Sequence, residues 1–279
     1  MSWFHAILLG IIEGLTEFLP VASTGHITIA EQLLGYPVSS PEITAFTAVI
    51  QLGSILAAVV FFRTDIVRIA RGWIRGISDA DARTSPDYRM GWNVIIGSIP
   101  IAVVGIAAKS LIEGPLRNLW VVVIGLIGWS AVMWLADRRT AAPGRWENSV
   151  NLVDAVFVGV VQCCSLIPGV SRAGATISAG LLRGLDRPTA TRFSFFMGIP
   201  ALVAAAGLEA ASQASTISAT IGWGPVLVGI VVAFLTGYAS IAWLLRFVSR
   251  HTFTAFIIYR IAAAAVLIWL LRAGIVAAG

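Results

Sequence analysis

The stretch Ile11 to His26, IIEGLTEFLPVASTGH, sets Glu13, Glu17, Ser23, Thr24 and His26 into an apolar segment of membrane type. A charge at bilayer depth costs roughly 3 kcal/mol on insertion scales, so a chain that keeps several ionisable groups together there uses them for binding, transport or catalysis. The proline inside the segment decides the local fold. Leu19 precedes Pro20, which pushes Leu19 out of the α region and ends a helix, and Ser23 or Thr24 can cap a second helix beginning near His26. The expected result is a short loop at depth between two half-helices.

Outward from this stretch the chain stays apolar. Of its 279 residues 58% are hydrophobic and only 12% charged, with a mean hydropathy of +0.88, well beyond the balance of a soluble domain. Six windows of bilayer-crossing length lie near residues 43–62, 91–108, 119–136, 193–208, 217–245 and 255–271. Two other apolar stretches, 3–34 and 150–182, are each broken by proline and polar residues, a pattern suited to re-entrant hairpins. No β-alternation runs long enough for a barrel, and the start of the chain lacks the basic region and cleavage site of a signal peptide. The expected fold class is an all-α polytopic membrane protein of one domain, with six transmembrane helices and two re-entrant helical hairpins.

The net charge of +5 does not point to nucleic acid, because the basic residues sit in connectors, where they orient a membrane protein. Fourteen of the 19 lie in the connectors 63–89, 137–147, 183–192 and 246–251, which are placed in the cytoplasm. The connectors 109–117 and 209–218 and the segment 27–42 then face the other side. Arg172 and Arg260 fall inside apolar segments and become candidates for anion contact or internal pairing. This arrangement makes the two hairpins enter from opposite faces and predicts an inverted repeat, with halves near 1–136 and 150–272. An internal echo agrees: AILLGIIEGLTEFLPVASTG from Ala6 aligns with AVFVGVVQCCSLIPGVSRAG from Ala155 at an offset of 149, falling to 148 at Pro20 and Pro168. Inverted repeats set broken helices against each other near the midplane, so the ligand site is expected between the hairpin tips.

Glu13 and Glu17 are four apart on a helix and share one face. Either one carboxyl is kept protonated by its neighbour, or a divalent cation such as Mg²⁺ or Ca²⁺ bridges them with water and substrate oxygens, or the pair relays protons. The second broken stretch, IPGVSRAGATISAGLL from Ile167 to Leu182, repeats the design: Pro168 and Gly169 break the helix, Ser171 caps the next, and Arg172 lies beside free backbone amides. A helix N-terminus with a guanidinium suits phosphate, and Ser171 and Thr176 can add hydroxyl contacts. Plainer roles stand beside these: hydroxyls at helix starts are common caps, His26 can be a packing residue, and Arg172 can be a counter-ion for a glutamate. Cys163 and Cys164 read as small packing residues. His5 and His251 read as bystanders, and the tryptophans as interfacial anchors.

EGLTEFLPVASTGH (Glu13 to His26) and PGVSRAGATI (Pro168 to Ile177) resemble the two signature motifs of the bacterial undecaprenyl-diphosphate phosphatase family, also known for bacitracin resistance. The resemblance extends through FSFFMGIP (Phe193 to Pro200) and the span pattern. It implies hydrolysis of a polyprenyl diphosphate lipid, undecaprenyl diphosphate, to undecaprenyl phosphate and inorganic phosphate, which recycles the carrier for peptidoglycan and other envelope polymers. It also implies the six-span inverted-repeat fold, residence in the bacterial inner membrane among its lipids, and a site open to the periplasmic or outer face. By motif position it assigns the essential acids to Glu13 and Glu17, the histidine to His26, the serines to Ser23 and Ser171, and the arginine and threonine to Arg172 and Thr176. The family usually carries a further serine where this chain has Ala22 and another where it has Ala173.

On this reading Glu17, His26, Arg172 and Ser23 carry the chemistry, while Ser171, Arg172, Thr176 and Thr24 bind substrate. Glu13 and Glu17 hold the metal. His26 is either nucleophile or general acid or base toward water or Ser23. A homodimer is carried as the expectation for assembly. The rival class is an ion-coupled secondary transporter or lipid flippase, which shares inverted repeats and buried carboxylates; a non-catalytic scaffold would leave Glu13, Glu17 and Arg172 without a purpose.

Overall fold

A computed structural model describes residues 1–37, 40–139 and 144–279, so residues 38–39 and 140–143 of the expected connectors 27–42 and 137–147 lie outside the described residues. The chain opens with α1 (Trp3–Phe18) and α2 (Ser23–Leu33), followed by α3 (Pro41–Phe61), α4 (Arg63–Ser78), α5 (Pro86–Ala107), the short α6 (Lys109–Glu113) and α7 (Leu119–Arg139). Further along the chain come α8 (Leu152–Gln162), α9 (Arg172–Leu182), α10 (Arg187–Thr220), α11 (Trp223–Val248) and α12 (Thr254–Arg272). Among the described residues there is no strand, only an isolated bridge between Arg145 and Leu185.

Six of these helices, α3, α5, α7, α10, α11 and α12, are long and apolar enough to cross a bilayer, and they coincide with the six windows. Their starts are written in the sequence. Ser40 and Ser85 accept hydrogen bonds from Ile43 and Tyr88 amides, each just ahead of a proline at the first helical position, and Asp186 does the same ahead of Arg187 and Pro188. Asn151 and Asp154 form a reciprocal capping box at the start of α8.

Three boundaries differ from expectation. The connector 209–218 is helical, because its alanines, glutamate and single glutamine sustain a helix and nothing breaks it before Gly222, where φ is +77°. The resulting 34-residue α10 is about 50 Å long, well over the ~30 Å hydrocarbon thickness. The basic connector 63–89 contains α4, an amphipathic helix that buries Ile69 and Gly76 and exposes Val67, Ile74 and Ile77. α2 starts at Ser23 rather than near His26, behind Ala22, which has no capping side chain.

The broken stretches become α1 with α2 and α8 with α9, each pair in mutual contact. The halves interlock by exchange: α1 lies along α11 of the second half, and α8 lies along α5 of the first. Gly10 and Gly159, which the internal echo aligns, make both approaches. A Cβ on Gly10 would sit 2.8 Å from the Gly229 carbonyl, and one on Gly159 would sit 2.1 Å from the Gly97 carbonyl. Where lipid removes the hydrophobic drive between helices, such close backbone approach is what holds them together. A cluster of Phe18, Phe62 and Phe195 then ties the end of α1 to the α3–α4 junction and to α10.

Candidate functional site

Both breaks bring the start of a helix to one cavity of about 490 Å³. Leu19 is extended (φ −73°, ψ 146°), as Pro20 requires, and α2 restarts after Ala22 at φ +72°. In the second half α9 restarts after Ser171 at φ +74°, with the Ser171 hydroxyl accepting from the Gly174 amide at 3.2 Å. These are the two non-glycine residues with positive φ among the described residues, and each costs of order 1–3 kcal/mol that the surrounding structure must offset.

Arg260 supplies much of that support. It is fully buried, and its guanidinium donates to the carbonyls of Pro20 (3.0 Å), Gly169 (2.9 Å) and Val170 (3.2 Å), to Gly125 and Leu126 of α7, and to the Ser130 hydroxyl. One side chain from α12 thus binds both loops and α7. Of the two arginines in apolar segments, Arg260 is internally paired, with backbone carbonyls rather than an acid.

Arg172 is at the cavity. Its Nη2 is 3.5 Å from Glu17 Oε1, while Ser23 Oγ donates to Glu17 Oε2 at 2.8 Å. Glu17, Ser23, Thr24, Ser171 and Arg172 therefore share one wall region, drawn from both halves of the chain. Ser23 is the first helical residue of α2 and its hydroxyl donates to Glu17, so the cap position falls to Ala22. Arg172 Nε has no hydrogen-bond partner, and the loose contact at 3.5 Å leaves the guanidinium able to take a stronger acceptor. Two helix N-termini, a fixed cation and a hydroxyl–carboxylate pair make a surface for a polyanion. An apolar side of the wall is supplied by residues 101–106 of α5 and 201–208 of α10, each directly after an internal proline, Pro100 and Pro200.

Three expected residues lie away from the cavity wall. Glu13 is buried one turn before Glu17, and its Oε1 has no hydrogen-bond partner. Thr176 donates to the Arg172 carbonyl at 2.8 Å and pairs with Ser194 at 2.5 Å, inside the α9–α10 contact. His26 stacks on Tyr259, with Nδ1 2.8 Å from the Ala22 carbonyl and Nε2 2.7 Å from the Tyr259 hydroxyl. A carbonyl only accepts, so Nδ1 carries a proton, and in the neutral ring Nε2 accepts from the Tyr259 hydroxyl.

Several polar wall residues were not singled out by sequence: Gln51, Lys109, Gln162 and Ser165. Gln162 had a usable signal, since the echo at offset 149 sets it opposite Glu13; the others come to the wall only through packing. Among the described residues no group of three or more His, Cys, Asp or Glu side chains is placed to hold a metal.

Comparison with known proteins agrees with the two motifs. The family model described as bacitracin resistance protein BacA matches residues 6–266. The undecaprenyl-diphosphatase of Cutibacterium acnes is 52% identical over 285 residues, covering 100% of both chains. Undecaprenyl-diphosphatase 3 of Frankia casuarinae is 51% identical over 278 residues with the same coverage, and the enzyme of Acidothermus cellulolyticus is 51% identical over 276 residues, 99% of each. With half its residues shared end to end and the family model matching residues 6–266, from α1 into α12, the chain belongs to the BacA family of bacitracin resistance proteins.

Proposed function

We propose that this protein hydrolyses undecaprenyl diphosphate to undecaprenyl phosphate and inorganic phosphate. The observation that carries the reading is one cavity in which two helix N-termini, Arg172 and the Ser23–Glu17 pair share the wall with an apolar side built by α5 and α10. The polar end fits a diphosphate and the apolar wall fits a prenyl chain; a lipid flippase would need the same two surfaces, and turnover separates it from an enzyme. Relatives at about half identity named undecaprenyl-diphosphatase support the same substrate.

Arg172 and the amides at the starts of α2 and α9 neutralise the diphosphate and orient it. Ser23 Oγ passes its proton to Glu17 and attacks the terminal phosphorus; the bond to the bridging oxygen breaks, and undecaprenyl phosphate leaves with the electron pair. Water then cleaves the phosphoserine, releasing inorganic phosphate and returning the hydroxyl. In this geometry His26 braces the first turn of α2, and acting as nucleophile would require it to give up Tyr259 and turn toward the cavity. Thr24 and Ser171 stand where substrate oxygens would lie, and Thr176 steadies the turn that presents Arg172.

A divalent cation, Mg²⁺ or Ca²⁺, fits as a partner bound together with substrate. Glu17 on the cavity wall, with the unpartnered Glu13 Oε1 buried one helical turn behind it, offers hard oxygen donors too few to complete a shell by themselves, so diphosphate oxygens and water would supply the remainder. When bound, such an ion would supply charge neutralisation at the phosphates.

The same reading places the chain in the bacterial inner membrane, with α1–α2 and α8–α9 as re-entrant hairpins of an inverted repeat and the cavity open to the outer face. The exchange of α1 and α8 between halves supports the repeat. Lys109, from a connector assigned to the outer side, lines the cavity and supports the direction of opening. A homodimer belongs to this proposal as well, and its check is the mass of the detergent-solubilised particle.

The decisive experiment is phosphate release by purified, detergent-solubilised protein given undecaprenyl diphosphate. Turnover without a membrane gradient is expected, and its absence would favour a carrier. Rapid denaturing quench followed by peptide mass spectrometry is expected to find phosphate on Ser23; phosphate on His26 instead would transfer the nucleophile role.

A further inference from the structure

Gln162 closes α8 just before the short turn Cys163–Leu166 and lines the same cavity as Glu17, Ser23 and Arg172. Its side chain is fully buried, and neither the amide nitrogen nor the amide oxygen has a hydrogen-bond partner. A buried amide unpaired at both ends lowers stability, and chains keep such a group where something else completes it. Arg172 Nε, across the same cavity wall, is unpaired in the same way. The internal echo sets Gln162 at the position of Glu13, so one hairpin brings a carboxylate where the other brings a neutral amide.

We infer that Gln162 is a further substrate-binding residue. Its amide nitrogen donates to an oxygen of the diphosphate seated between the two helix N-termini, and its oxygen accepts from a protonated phosphate oxygen or a bound water. Because the amide is neutral, the α8 side of the cavity carries no negative charge against the diphosphate, while the α1 side brings the Glu17 carboxylate. The cavity is thereby polarised across its two halves. This inference rests on the diphosphatase reading above and deepens it.

The test uses the full chain in detergent, with Gln162→Met, which keeps the volume but removes both polar atoms, and Gln162→Glu, which keeps the shape but replaces the donor with a charge. For Gln162→Met, kcat/KM on undecaprenyl diphosphate is expected to fall about tenfold to a hundredfold, chiefly through KM, with inhibition by inorganic phosphate weakened in step. Its Tm stays at or above that of the unsubstituted protein, because an unpaired polar group has been removed. Gln162→Glu is expected to fall at least as far. Unchanged kinetics and phosphate inhibition in Gln162→Met would overturn the inference and leave Gln162 a residue solvated by buried water. Full activity of Gln162→Glu, together with a lowered Tm in Gln162→Met, would make its role structural. If the unsubstituted protein releases no phosphate, the diphosphatase reading fails separately, and calorimetric binding of inorganic pyrophosphate still decides this one: weaker in Gln162→Met supports it, equal binding overturns it.

Discussion

Arg172 is held in place by what is missing beside it. Gly198 of α10 leaves room for the guanidinium, since a Cβ there would lie 2.1 Å from Nη1 and 2.8 Å from Cζ. The tip of a long side chain can move aside at little cost to folding, yet that movement takes the charge out of register with Glu17. For Gly198→Ala, phosphate release is expected to fall at least tenfold while Tm changes by only a few degrees, since a displacement of about 1 Å at a reacting centre costs up to a hundredfold. Undiminished activity in that variant would mean that the guanidinium position is not critical. The sequence identified Arg172 and Glu17 because charges in apolar segments stand out. It could not show that Thr176 and His26 would turn to Ser194 and Tyr259, because those partners lie 18 and 233 positions away.

At the scale of the helices, the two strained loops depend on α12. Arg260 satisfies three loop carbonyls, which in a dry interior would otherwise remain unpaired, and donates as well to two helical carbonyls of α7. Arg260→Leu is expected to lower stability by roughly 3 kcal/mol or more and to abolish turnover, read as a fall in Tm of several degrees in detergent. Arg260→Lys recovers little, because an ammonium cannot reproduce the forked donor geometry. A Tm within a degree or two for Arg260→Leu would show that the loops hold without it. The breaks themselves were legible in Pro20 and Pro168 taken with the polar and small residues beside them; proline alone does not decide, since Pro100 and Pro200 lie inside the unbroken α5 and α10. The length of α10 was not, because a polar helical extension and a polar connector have the same composition until a breaker ends one of them.

For the whole molecule, orientation is the property most open to measurement. Lys109 is the single lysine of the chain and lines the cavity from α6. A membrane-impermeant amine reagent applied to intact spheroplasts is expected to modify Lys109, as located by peptide mapping, and a bound prenyl diphosphate is expected to protect it. Modification only after the membrane is opened would reverse the assigned topology. Chelation of divalent cations is expected to suppress phosphate release by more than tenfold, with recovery on adding Mg²⁺ or Ca²⁺; full activity in chelator would leave Glu13 without a metal to hold.

Composition and spacing alone determined a helical membrane protein, the positions of its six long helices, both interruptions and the acids, hydroxyls and arginine set around them, because hydropathy and proline sterics act over a few residues. The tertiary structure decided which of those groups share a cavity. It brought Ser23 to Glu17 and Arg172, turned His26 to Tyr259, and set Gln162 and Lys109 on the wall. Such placements follow from the interlocking of α1 with α11 and α8 with α5, and contacts between residues so far apart in the chain leave no local trace in its sequence.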